Sequence, residues 1–137
     1  MSNTQKPNIV WITGGSSGIG KSLALKMAQN GLSVAVTARS KDKLAELEER
    51  SRSMPGEILA FPGDVTDSKT MQDIVKDIER RLGPIYLAIL NAGTYVPDTV
   101  DTFTTDNFEH HCRINLLGTA NSLAPVVKNM KERQKGH

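Results

Sequence analysis

The stretch Ile9-Val10-Trp11-Ile12-Thr13-Gly14-Gly15-Ser16-Ser17-Gly18-Ile19-Gly20 carries the decisive pattern. An apolar run long enough for one buried strand passes into a turn of glycine and serine, which opens on a helix-like segment. Glycine tolerates the conformations that a sharp strand-to-helix turn requires and lets a ligand approach the backbone closely. The first N–H groups of a helix have no partner within it, and the positive end of the helix dipole lies behind them. Together these features favour a pyrophosphate. The stretch therefore predicts a dinucleotide site, with Gly14, Ser16, Ser17, Gly18 and Ile19 as candidate contacts.

Outward from this turn the chain alternates short β-branched runs with amphipathic segments, without an internal repeat. The strand candidates are Ile9 to Thr13, Ser33 to Ala38, Ile58 to Phe61 and Ile85 to Leu90, mostly apolar on both faces as a covered parallel sheet requires. A first helix is expected from Ile19 to Asn30, with Ile19, Leu23 and Met27 on its buried face and Gly31 ending it in a left-handed conformation. A second begins at Ser40 and buries Leu44 and Leu47. In the third, Asp67 or Ser68 is the cap, Met71, Ile74, Val75, Ile78 and Leu82 share a face, and Gly83-Pro84 is the stop. A fourth, from Thr105 to Met130, contains Gly118 and Pro125, and the proline predicts a bend. Right-handed crossovers then give an α/β, Rossmann-like doubly wound parallel sheet of strand order 3-2-1-4.

The 137 residues are 38% hydrophobic and 23% charged, which suits one core and hardly two, so a single dinucleotide-binding domain over 1–137 is expected. Met1 to Asn8 are polar and lack an apolar signal core, and the longest apolar run, Ile85 to Leu90, is too short to cross a bilayer. A cytoplasmic protein without a membrane partner is the expectation. Cys112 is the only cysteine, which excludes an intrachain disulfide and a multi-cysteine zinc site. His110, His111 and Cys112 are adjacent, but neighbouring residues on a helix point in different directions, so no metal is expected there. A net charge of +2 is too small to indicate nucleic acid, and Lys128, Lys131, Arg133 and Lys135 read as the solvated end of the fourth helix.

A dinucleotide fold places its ribose-reading residue at the end of the second strand, about 20 residues after the glycine loop. Ala38-Arg39 stands there. An acid at that place would accept from a free 2′-hydroxyl, whereas Arg39 beside a small residue donates to a 2′-phosphate, so the cofactor expected is NADP(H). A charge-assisted pair of this kind contributes about 1.5–3 kcal/mol, or roughly 10- to 150-fold in affinity.

With these residues the chain resembles the short-chain dehydrogenases/reductases, whose phosphate loop T-G-x-x-x-G-x-G matches Thr13 to Gly20 throughout. Further matches extend the resemblance. Asp64-Val65, after the third strand, is similar to the family's adenine contact, in which the carboxylate accepts from the adenine amino group and the next residue packs on the ring. Asn91-Ala92-Gly93 resembles the N-A-G motif, where small residues let the backbone pass close to the cofactor ribose. Asn115-Leu116-Leu117-Gly118 resembles the N-x-x-G segment, which implies that Asn115 belongs to the catalytic set and holds a water in a proton relay.

The resemblance covers essentially the whole chain and stops short of the chemistry. Carbonyl reduction needs a hydride donor, an acid for the developing alkoxide and a group that polarises the oxygen. The family uses serine and Tyr-x-x-x-Lys, on later strands and helices that this sequence does not contain. Tyr86 and Tyr95 are followed four residues on by Leu90 and Thr99. Two readings follow. In the first, these residues are the amino-terminal portion of an NADP(H)-dependent oxidoreductase acting on a small carbonyl or alcohol substrate; in the second, they are a non-catalytic nucleotide-binding or interaction module. Either way, the strand Ile85 to Leu90 forms an open sheet edge, and Ile114, Leu117, Leu123, Val126 and Val127 give the fourth helix more apolar surface than four strands cover. The resembling family packs this helix across a subunit interface, which implies a homo-oligomer.

Overall fold

In the computed structural model, which describes residues 8–137, β1 (Ile9–Thr13) is the third strand of a four-stranded parallel sheet. The polar N-terminal stretch lies outside the described residues except for Asn8. In chain order follow α1 (Gly18–Gln29), β2 (Ser33–Thr37), α2 (Lys41–Ser51), β3 (Glu57–Ala60), α3 (Ser68–Arg81), β4 (Ile85–Leu90), α4 (Thr105–His111) and α5 (Gly118–Glu132). The sheet order is β3-β2-β1-β4, the expected 3-2-1-4. Thr13 pairs in register with both Thr37 and Leu90, which brings the carboxyl ends of β1, β2 and β4 to one edge. Ligands of open α/β sheets bind at that edge, where the strand order reverses.

Alternation along each strand divides the interior into two cores. Ile9 and Trp11 of β1 join Ala35, Met71, Ile78 and Val126 under α3 and α5, while Val10 and Ile12 join Val34, Val36, Ala24, Ala28, Leu44 and Leu47 under α1 and α2. The third helix is capped as the sequence predicts: Asp67 Oδ1 accepts from Thr70 N at 2.9 Å, and that bond holds the carboxyl below its ordinary value. Gly31, with φ +84°, follows α1 at the expected place.

Two expectations for the helices need correction. The buried face of α1 is Gly20, Ala24 and Ala28, whereas Ile19 is 78% exposed and Leu23 and Met27 are only half-buried. Small residues win this face because the helix lies close on the sheet and loop: a Cβ on Gly20 would stand 2.5 Å from Gly14 O. The fourth helix is interrupted at Cys112–Leu117, a π-helical segment between α4 and α5, and α5 continues through Pro125. Pro125 lies inside α5, where it removes one N–H bond. The wider turn falls where Asn115 reaches across to the loop after β4, a common use of such bulges.

The lysine- and arginine-rich end of α5 is not uniformly solvated. Arg133 donates to Glu79 Oε1 at 2.8 Å and to Ile85 O, while Glu79 also accepts from Asn129 Nδ2 at 2.7 Å and Ile85 N at 3.1 Å. One carboxylate thus ties α3, α5 and the start of β4 together. The outer edge of β4 is likewise not bare: His137 N donates to Tyr86 O at 2.8 Å, and Ala88 N donates to His137 O at 2.9 Å.

Candidate cofactor-binding site

At the carboxyl edge of the sheet the β1–α1 loop, the ends of β2, β3 and β4, and Ile114 enclose a cleft of about 710 Å³. Of the residues singled out in the sequence, Gly14, Ser16, Ser17, Ile19, Arg39, Asp64, Val65, Asn91, Ala92 and Gly93 line it. Gly18 and Asn115 are not among the lining residues.

The glycines of the loop divide between scaffold and opening. Gly14 N and Gly15 N both donate to Thr37 O, at 2.8 and 3.4 Å, so these two amides fasten the loop to β2. Gly14 has φ +69°, and a Cβ there would lie 2.7 Å from Ala92 Cα and 2.9 Å from Ala92 N. The space beside Gly14 is therefore filled by the β4 loop. Gly18 is the contrasting case, with φ +54° and nothing within 4 Å of its added Cβ. The first main-chain bond of α1 runs from Lys21 N to Ser17 O at 3.2 Å, so Gly18, Ile19 and Gly20 present amides without an acceptor inside the helix. Ser17 caps α1 without a side-chain bond, and the first turn carries no acid. A positive dipole end with free donors is thereby open to an anion.

On the opposite wall, Asp64 Oδ1 accepts from Thr66 N at 2.9 Å and Thr66 Oγ1 at 2.8 Å. Its second oxygen is left for other partners. Val65 is buried against Gly118, where a Cβ would come within 2.6 Å of Val65 Cγ2. Its side chain serves the core as well as the cleft wall. Arg39 is exposed just beyond β2, and among the described residues it makes no ion pair.

The floor is set by polar bonds between strand ends. Trp11 Nε1 donates to Thr37 Oγ1 at 3.0 Å, Ala92 N donates to Thr13 Oγ1 at 3.1 Å, and Asn91 Nδ2 donates to Gly14 O at 3.2 Å. Asn91 thus turns its amide to the phosphate loop. Asn115, on the π-helical segment, accepts from Thr94 N through Oδ1 at 2.7 Å and donates from Nδ2 to Thr94 O at 2.9 Å. This two-bond clasp fixes the loop after Gly93 to the helix. It engages both polar atoms of the side chain, each of which keeps one further hydrogen-bonding position.

The sequence reading missed Ser40, Lys43, Gly63, Thr94 and Ile114, all of which line the cleft. Lys43 had a legible signal, since it stands four residues after Arg39 in the first turn of α2. Thr94 follows the Asn91-Ala92-Gly93 motif directly. His111, an unpromising metal ligand in the sequence, accepts from Val96 N through Nε2 at 2.9 Å and stacks on Tyr95 at 6.3 Å. It pins the same loop that Asn115 clasps.

Residues 8–137 match the family model described as short chain dehydrogenase. The chain belongs to this family. Among short-chain dehydrogenases it is similar to the 3-ketodihydrosphingosine reductase of Mus musculus, 32% identical over 132 residues covering 93% of this chain and 40% of that protein. Its fold matches an alcohol dehydrogenase from the archaeon Thermococcus sibiricus complexed with 5-hydroxy-NADP, with a TM-score of 0.85 and 25% identity over 91% of this chain and 54% of that one. ElxO with NADP bound gives a TM-score of 0.87 and 29% identity, over 95% and 53% of the two chains. This short-chain dehydrogenase chain spans about half the length of these relatives. Among its described residues no helix is long and apolar enough to cross a membrane.

Proposed function

We propose that this chain is the NADP(H)-binding portion of a short-chain oxidoreductase, which moves hydride between the nicotinamide and a small carbonyl or alcohol substrate. One arrangement carries the reading: Ser17 and Ile19, at the start of α1 where the first amides have no acceptor within the helix, line a single cleft with Arg39, which makes no ion pair among the described residues. The helix start suits a pyrophosphate and the guanidinium a 2′-phosphate. NADP in two structural neighbours supports the same assignment.

In this reading Ser16 and Ser17 add hydroxyl donors beside the helix start, the free oxygen of Asp64 accepts from the adenine amino group, and Val65 backs the ring. Asn91, Ala92 and Gly93 carry the backbone past the ribose, with Asn91 holding the phosphate loop in place. When bound, the nicotinamide supplies the hydride. Asn115 is the member of the family's catalytic set within these residues, and its clasp on Thr94 orients the strand-end loop. The cytoplasm and a homo-oligomeric state belong to the same proposal.

Calorimetric titration tests it. NADPH should bind more tightly than NADH, and Arg39→Ala should remove most of the difference, roughly 10-fold or more. Equal affinities in the unsubstituted chain would overturn the role of Arg39.

A second reading is a nucleotide-binding or interaction module without turnover, and the coding sequence that follows these residues separates the two. Coding sequence that continues into a serine and Tyr-x-x-x-Lys selects the oxidoreductase, and a natural stop codon after His137 selects the module. Under both, pure chain of verified mass is expected to give no carbonyl-dependent oxidation of NADPH. Turnover by that preparation would demand a proton donor other than tyrosine.

A further inference from the structure

We propose that His111 is a pH-operated latch on the loop after β4, whichever cofactor the cleft holds: its neutral ring fastens Val96 to the helix, and its protonation in mild acid releases the segment between Thr94 and Asp98. Asn115 and His111 stand four residues apart, and they hold main-chain groups two residues apart. Asn115 takes Thr94 N and Thr94 O at 2.7 and 2.9 Å, and His111 Nε2 takes Val96 N at 2.9 Å. Four residues of α-helix advance about 6 Å, a gap that two residues of chain can bridge. Thr94 lines the cleft, so the two side chains are successive rungs that support one of its walls.

The rungs differ in chemistry. The amide of Asn115 keeps its donor and its acceptor at every working pH. An imidazole accepts through Nε2 only while the ring is neutral with its proton on Nδ1; once protonated, both nitrogens donate. Val96 N–H would then face a second N–H, and the bond is lost. The fastening is therefore present at high pH and disappears as pH falls through the histidine titration, which for this side chain ordinarily lies between about pH 5 and 8. One rung is permanent and the other conditional.

The surroundings suit a ring that changes charge in place. Three titratable groups face it: Tyr95 and Asp98 from the loop, and His110 from α4, whose ring centre is 6.3 Å away. Tyr95 stacks on His111 with 13° between the planes, and an aromatic face attracts a cation as well as a neutral ring, so the stack outlasts protonation. Asp98 is held below its ordinary value chiefly by the hydroxyl of Thr102, with Asn107, the Thr99 amide and the charge of His111 adding to it. It stays anionic while the histidine titrates and offers the new cation a partner two residues beyond Val96. Val96 is 42% exposed, so water takes up its freed amide.

NMR of the isotope-labelled full chain between about pH 5 and 8 tests the latch, with thermal melts verifying that each variant folds. The Val96 amide resonance should move with the same midpoint as the His111 ring, and its exchange protection, corrected for the intrinsic rate, should fall about 10-fold toward acid while that of Thr94 stays within about twofold. His111→Gln places a non-titrating amide oxygen within reach of Val96 N and should hold the protection constant across the range. His111→Phe keeps the stack without the bond and should leave Val96 poorly protected at every pH. A Val96 amide that does not follow the His111 ring overturns the latch, as does an equal loss at Thr94, which would mean general opening. The parent's pH profile persisting in His111→Gln overturns it too, since His110 or Asp98 would then be the titrating group.

Discussion

Gly14 and Gly18 both hold a positive φ in the same loop, yet substitution should harm them for different reasons. At Gly14 any side chain meets the Ala92 backbone and strains the left-handed residue, so Gly14→Ala is expected to lose at least about 2 kcal/mol of stability, read as a lowered denaturation midpoint. At Gly18 the added atoms enter open space, and asparagine accepts the conformation. Gly18→Asn should therefore stay within about 1 kcal/mol of the parent, and if the start of α1 holds the pyrophosphate as proposed, the added side chain crowds that anion and NADPH affinity falls roughly 10-fold. A well-folded Gly18→Asn with full affinity would remove the phosphate from this end of α1. The loop as a phosphate cradle was legible from glycine spacing. Which glycine has open space beside it was not, since that depended on Ala92, distant in sequence and adjacent only after β1 and β4 pair.

Elements were legible where periodicity and caps agreed. The four strands and α3 fall within a residue or so of their expected bounds, because both-face burial and the Asp67 cap leave local and tertiary preferences in agreement. The α1 face was misread because its contact is made by absent bulk, and hydrophobic periodicity counts only bulk that is present. The π-helical turn had no sequence signal beyond Asn115 itself: its partner is the main chain of Thr94, which any residue type would offer. The clasp of Arg133 on Glu79 was hidden by a run of cations that reads as solvated. Its two side chains are only 23% and 19% exposed, so Arg133→Met should cost about 1–3 kcal/mol, leaving Glu79 and Ile85 O with unmet bonds. Urea denaturation decides this, and a midpoint equal to that of the parent would show that the clasp adds nothing net.

For the molecule as a whole, the outer face of the last helix remains apolar. Val126 is buried and Ile114 half-buried, but Leu116, Leu117, Leu123 and Val127 are between 45% and 67% exposed, and the expected surplus is thus narrower than the sequence suggested. A contiguous face of this kind favours self-association. Light scattering over a concentration series should give a mass above one chain at high micromolar concentration, and Leu123→Lys with Val127→Glu should lower it; a stable monomer of the unsubstituted chain at that concentration would defeat the expectation. Sheet order and class were readable from alternation and handedness alone, as both are consequences of local geometry repeated along the chain. The fastening of β4 by His137 was not, because a main-chain bond carries no side-chain signature.

The shared acceptor Thr37 O gives the loop an internal reference. Gly14 and Gly15 spend their amides on it, whereas Gly18, Ile19 and Gly20 hold theirs in reserve, all within one short stretch of backbone. In a nitrogen-edited NMR spectrum, ligand arrival should displace the resonances of the second group far more than those of the first. Movement of the first group would register distortion of the loop itself, so one titration separates occupancy from deformation.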